Sequence, residues 1–160
     1  MNQVIFKPIG TIHSPFTHPE DMPVQSAAAE GITGKIVLNE EYVEGLSDLD
    51  GFSHIYLIYH FHLSESYSLK VTPFLDDQKR GVFSTRAPKR PNAIGLSVVK
   101  LIKINHSIID IENIDIIDGT PLLDIKPYVG EMEAINQYKI GWLSNRIKEI
   151  KSKNSDNRFK

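Results

Sequence analysis

Residues 52–63 read FSHIYLIYHFHL, and the positions alternate. Ser53, Ile55, Leu57, Tyr59 and Phe61 share one face, while His54, Tyr56, Ile58, His60 and His62 share the other. Aromatic and β-branched residues at period two predict a central strand. Shorter apolar runs at 4–11, 31–38, 70–75, 96–104, 108–117 and 122–125 read as strands too, each bounded by turn residues. Ser14-Pro15 stops the first run, because proline removes a ladder donor. Gly34 inside the second suggests a bulge. Asn39 caps a short helical turn that Gly45 closes, and 76–81 is a turn. Asp118-Gly119, between the last two runs, is a hairpin signal. Trp142, Leu143, Arg146, Ile147 and Ile150 recur at helical spacing, predicting a C-terminal helix over about 142–152. About seven short strands without regular helical crossovers predict a mainly β protein, a small antiparallel β-barrel with a C-terminal helix. The barrel domain is expected over 1–130, with 131–160 as the helix and basic tail of the same domain.

Composition changes this picture little. The 160 residues, 41% hydrophobic and 24% charged, suit one soluble domain with a real core. With no cysteine, disulfides and thiolate metal sites are excluded. The first residues lack the apolar run and small-residue cleavage site of a secretory signal, and no run is long enough to span a membrane, so a cytoplasmic protein is expected. The net charge of −2 is unevenly spread. Six cations (Arg146, Lys148, Lys151, Lys153, Arg158 and Lys160) against Glu149 and Asp156 set a basic tail on an acidic body.

The candidate chemistry centres on VFSTRAPKRPNAIGLSVVKL, residues 82–101. Arg86, Lys89 and Arg90 sit among Pro88 and Pro91 before Asn92 and Gly95 return the chain to a strand. Each proline fixes its own φ and pushes the residue before it towards extended backbone, so the loop is stiff and displays charge in a set geometry. Such loops are commonly sites. No G-x-G-x-x-G fingerprint is present, which removes support for a doubly wound nucleotide fold.

This stretch resembles the signature of the TrmO (YaeB-like) family, departing at Ser84, Lys89 and Ala93 where Ala, His and Pro are usual. Four further stretches are similar to the family in the same order: IGTIHSPF, Pro23-Val24-Gln25, GFSHIYLIYHFH and DIIDGTPLLDIKPYV. The resemblance implies a small β-barrel, and an S-adenosylmethionine-dependent tRNA methyltransferase that acts on N6 of the threonylcarbamoyl-adenosine beside the anticodon. It implies a cofactor site of Pro23, Val24, Gln25, His62, Arg86, Leu96, Asp118, Gly119 and Thr120, shared across a homodimer. The chain resembles the short form of the family. Lys89, Arg90 and Asn92 are expected on the side of the tRNA anticodon loop, where exposed bases are available for stacking and hydrogen bonding.

Methyl transfer from a sulfonium is an in-line displacement, so positioning dominates and no general base is demanded. The residue types fit: a carboxylate at Asp118 for ribose hydroxyls or an ammonium, and a guanidinium fork at Arg86 for a carboxylate. A rival reading puts His60 and His62 on one strand face near Glu65 as an H-x-H metal site of a cupin-like enzyme. It lacks clear further ligands, so no metal is expected. A third reading is a module that binds S-adenosylmethionine without transferring its methyl group.

Overall fold

The computed structural model describes residues 3–20, 22–24, 26–146, 148, 155 and 156. Its eight strands are β1 (Gly10–His13), β2 (Thr33–Leu38), β3 (His54–His60), β4 (Lys70–Val71), β5 (Arg80–Gly81), β6 (Ile94–Asn105), β7 (Ile108–Glu112) and β8 (Thr120–Pro127). Six of them close a barrel in the order β1-β2-β7-β6-β3-β8, and β4 and β5 pair separately. All pairings are antiparallel. The predicted mainly β barrel is therefore found, with six barrel strands and a two-stranded ribbon in place of seven.

The period-two pattern of β3 fills the interior. Ile55 and Leu57 are fully buried and Tyr59 nearly so, and they meet Ile12, Ile36, Val99, Ile109, Ile111 and Leu122 from the other strands. Ile114 and Ile116 close the core from the segment between β7 and β8. Branched side chains in one staggered rotamer suit the narrow inside of a small barrel.

Several elements differ from the sequence expectation. The first strand begins at Gly10, one residue after Ile9, whose N–H donates to the Leu122 carbonyl and whose carbonyl accepts from Asn39 N–H, and Val4, Ile5 and Phe6 lie exposed. The 70–75 run pairs only at Lys70 and Val71, since the chain turns where Asp76 N–H donates to the Pro73 carbonyl. Gly34 pairs regularly with Ile111; its lack of a side chain instead admits the His13 carbonyl and Ile114. The irregularities fall at Ile58/Tyr59 and Leu101/Lys103. The short helical turn at 40–46 is a 3-10 segment (Glu40–Leu46), and Asn39 uses its side-chain amide on the Pro8 carbonyl rather than as a cap.

The largest difference is at Asp118-Gly119. Strand β7 ends at Glu112, where Asn113 takes a left-handed φ of 68° and its Oδ1 accepts from Gly31 N–H. The chain then crosses the barrel end, so β8 pairs with β1 and β3 and never with β7. No hairpin forms there. Of the expected C-terminal helix, Gly141–Asn145 is a 3-10 segment. Ile147 and 149–152 lie outside the described residues.

Candidate functional site

Four connections meet at one end of the barrel: the segment after β1, the end of β3, the loop entering β6 and the segment entering β8. Between them lies a cleft of about 670 Å³. Its walls include Pro23, Val24 and Ser26, then Tyr59, Phe61 and His62, then Thr85, Arg86 and Leu96, and finally Asp115, Ile117 and Thr120. Ser155 and Asp156 lie along its rim, where Ser155 N–H donates to the Met22 carbonyl at 2.8 Å and its hydroxyl to that of Pro19. The size and the mixture of apolar wall with few polar groups are those of a small-molecule site.

The proline-rich loop is held from within. Thr85 Oγ1 donates to the Val82 carbonyl at 2.8 Å and accepts from Ala87 N–H at 3.3 Å. Arg90 Nη1 donates to the Thr85 and Ala87 carbonyls, both at 3.2 Å, and Ser64 Oγ donates to that of Pro88. Behind the loop, Val71, Val82 and Ala87 form a small buried cluster on the β4–β5 ribbon. Gly95 lets the loop rejoin the barrel, because a Cβ there would stand 2.2 Å from the Tyr59 ring. Tyr59 and Gly95 are cross-strand partners, so the ring lies over its own neighbour.

Beneath the cleft runs a polar chain. Tyr59 Oη and Ser97 Oγ are 3.0 Å apart, and Ser97 Oγ donates to Asp115 Oδ1 at 2.7 Å. Burial pushes the Asp115 carboxyl above its ordinary range, against the opposing pull of hydrogen bonds from Ser97 and the Ser26 amide and of the Arg86 charge. Burial, and then the Asp115 charge, raises the Tyr59 phenol as well. Burial and the neighbouring His60 lower the pKa of His62, whose Nδ1 lies 3.4 Å from Thr120 Oγ1. The Arg86 charge acts on the Asp115 carboxyl, so a guanidinium and a buried carboxyl lie within electrostatic range of one another in the wall of an otherwise largely apolar cleft.

Of the residues singled out in the sequence, Pro23, Val24, His62, Arg86, Leu96 and Thr120 line this cleft, as do Arg90 and Asn92. Gln25 lies outside the described residues. Asp118, Gly119 and Lys89 are not part of its wall. The Asp118 carboxylate turns to the end of β1, where Oδ1 lies 2.9 Å from His13 Nδ1 and accepts from Ser14 N–H at 3.1 Å. Burial opposes ionisation of Asp118, but the hydrogen bonds from His13 and Ser14 outweigh it and hold its pKa low. Asp115 is the residue that sequence reasoning missed. Its signal was alternation: a charge between Ile114 and Ile116, both core residues, must point to the other side of the segment. His60 ends β3 and His62 follows in the turn, so the two imidazoles do not share a strand face. Among the described residues no group of three or more His, Asp or Glu is arranged to hold a metal, and no helix is long and apolar enough to cross a membrane.

Comparison with known proteins adds an independent line. Residues 11–134 match the family described as the tRNA-methyltransferase O N-terminal domain. A probable S-adenosyl-L-methionine-binding protein of Pyrococcus abyssi is 48% identical over 98% of this chain and 85% of its own. The human tRNA (adenine(37)-N6)-methyltransferase is 39% identical over 82% of this chain, which corresponds to 31% of that protein. The crystal structure of TrmO from Pseudomonas aeruginosa superposes with a TM-score of 0.75 at 37% identity, covering 88% of this chain and 62% of that one. The chain thus spans less than two thirds of that solved protein and about a third of the human enzyme.

Proposed function

The chain belongs to the TrmO family of tRNA methyltransferases, and on that premise we propose that it uses S-adenosylmethionine to methylate N6 of threonylcarbamoyl-adenosine beside the anticodon of tRNA. The observation that carries this reading is the cleft itself, in which Arg86 and Asp115 share the walls with apolar side chains. The two charges complement the carboxylate and ammonium of a methionine zwitterion, and Pro23, Val24 and Phe61 offer an apolar face to adenine. Thr120 and His62 add polar contacts at the other side. In this assignment Asp118 and Gly119 shape the turn that delivers Thr120.

The bound cofactor supplies a methyl carbon on a cationic sulfur. The chain's contribution is to hold the acceptor nitrogen in line with that carbon and to keep competing water out. The cleft walls, Arg86 and Asp115 among them, would hold the cofactor so that its methyl group passes to the nitrogen, whose proton would pass to solvent. Asn92 and Lys89, on the loop beside Arg86, face the acceptor in this reading, and Arg90 fixes the loop that carries them. A tRNA substrate accords with a cytoplasmic protein, and the exposed apolar rim of the cleft supports a homodimer that shares the site.

Incubation with methyl-labelled S-adenosylmethionine and tRNA tests this, followed by mass spectrometry of the anticodon-loop nucleosides. The expected result is a gain of one methyl on threonylcarbamoyl-adenosine. The names of the archaeal relatives favour a second reading, a protein that binds the cofactor alone. Tight cofactor binding by calorimetry with no methyl incorporation into tRNA would establish it in place of the first.

A further inference from the structure

A second cleft, of about 330 Å³, opens beside the first, and the two share Val24, Phe74, Thr85 and Arg86 as a common wall. Its other side is made by Phe83, which is 76% exposed, and by Trp142. Packing does not account for so exposed a phenylalanine. Trp142, by contrast, is fixed: its Nε1–H donates to the Ser84 carbonyl at 2.8 Å and the Arg80 guanidinium lies 5.6 Å from the ring centroid. Behind it, the Asp76 carboxylate accepts from Arg80 Nε at 2.7 Å and lies 3.4 Å from Arg146 Nη2, which ties the 3-10 segment carrying Trp142 to the β4–β5 turn. Trp142 lies beyond residues 11–134, which match the family.

Three aromatic rings and a guanidinium around a small slot fit a flat π system with electronegative edges. Nucleobases stack on aromatic faces irrespective of sequence, and arginine supports both stacking and phosphate contact. We propose that this second cleft seats an unpaired nucleobase of the acceptor RNA, a neighbour of the base presented to the larger cleft, with Phe83 and Trp142 as its stacking platform. The proposal rests on the tRNA reading above. Arg86 stands between the two clefts and so couples occupancy of one to the geometry of the other.

The chain contains a single tryptophan, and its emission therefore reports on this cleft alone. The full-length protein, saturated with S-adenosylmethionine, is titrated with an anticodon stem-loop RNA while binding is followed in parallel by fluorescence anisotropy of labelled RNA. Quenching that saturates with the anisotropy supports the proposal, and Phe83→Ala or Trp142→Ala should weaken RNA binding about 10-fold, with Trp142→Phe restoring it. Cofactor affinity should be unchanged in Phe83→Ala, which also serves if Trp142→Ala fails to fold. RNA that binds without quenching overturns the proposal. So does a blue shift of the free protein's emission with rising concentration, which would mean that a second copy covers the cleft. If the wild type binds no RNA, the tRNA reading itself fails, and adenosine monophosphate decides the slot: quenching supports a nucleobase site and its absence removes it.

Discussion

Asp115 and Asp118 stand three residues apart, and the environment gives them opposite characters. Asp118 sits in the obvious turn and drew attention in the sequence, yet its carboxylate is spent on His13 and Ser14. Asp115, between Ile114 and Ile116, reaches the cleft wall and the Ser97–Tyr59 chain. Sequence pattern drew attention to the segment but not to which carboxylate lines the cleft, because turn propensity is local whereas the placement of the two is decided by packing against β1 and β6, distant in sequence. Burial raises the Asp115 pKa, so the folded state holds its proton more tightly than the unfolded chain. Stability should then fall as pH rises from the ordinary carboxylate range through the raised value. Asp115→Asn keeps an acceptor for Ser97 Oγ, and should flatten that fall and leave the protein equally or more stable at neutral pH. If Asp115 meets the ligand ammonium, the same variant should bind S-adenosylmethionine about 1.5–3 kcal/mol more weakly. Thermal melts across pH and calorimetry read the two effects separately. Gly95→Ala is the converse case. Its Cβ must displace the Tyr59 ring, so a loss of about 1–3 kcal/mol of stability is expected by chemical denaturation, together with weaker cofactor binding.

At the scale of elements, the two alternating strands β3 and β6 were legible because their period-two burial follows from the residues alone, whereas the joining of β7 to β8 was not. An Asp-Gly pair permits a tight turn but does not say which strands it joins; Asn113 and the pairing of β8 with β1 and β3 decide that. The cationic loop shows the same division. Its rigidity was readable from Pro88 and Pro91, but the fate of its charges was not. Arg90 points its guanidinium at two carbonyls of the loop, which makes it a staple. Arg90→Ala should therefore weaken cofactor binding and increase proteolysis near 85–93 while leaving the salt dependence of RNA binding unchanged. Were it a phosphate contact, the slope of log affinity against log salt would drop by about one. The β4–β5 ribbon makes a pH prediction. Burial opposes ionisation of Asp76, yet hydrogen bonds from Arg80 and from the Gln78 and Asp77 amides outweigh it and hold its pKa at about 2. A carboxylate depressed in this way adds stability above its unfolded pKa that is lost as pH falls through the folded one. Denaturant midpoints should decline from near pH 4 towards pH 2, and Asp76→Asn should abolish most of that decline at a lower plateau.

For the whole molecule, closure of the barrel leaves no free sheet edge among its six strands, so association by adding strands to the barrel is closed off. A contact between copies through the barrel must then use side chains, and the cleft mouth presents them. Leu63 and Leu96, both cleft residues, are 54% and 52% exposed. Apolar side chains left at the rim of a site are expensive to hydrate and are stabilised when a second surface covers them. A copy of the same chain related by a two-fold axis is the occupant that the family resemblance implies, and the prediction has a clear reading. Light scattering at micromolar concentration should return twice the 18.1 kDa of the chain, and Leu63→Glu should return the monomer, because a glutamate at a desolvated rim is left without a partner. If the partner completes the cleft, dilution of the wild type should lower apparent cofactor affinity in step with the loss of dimer, by linkage. A monomeric wild type with full methyl transfer would show that one barrel end suffices, and would leave Leu63 and Leu96 as surface for the RNA.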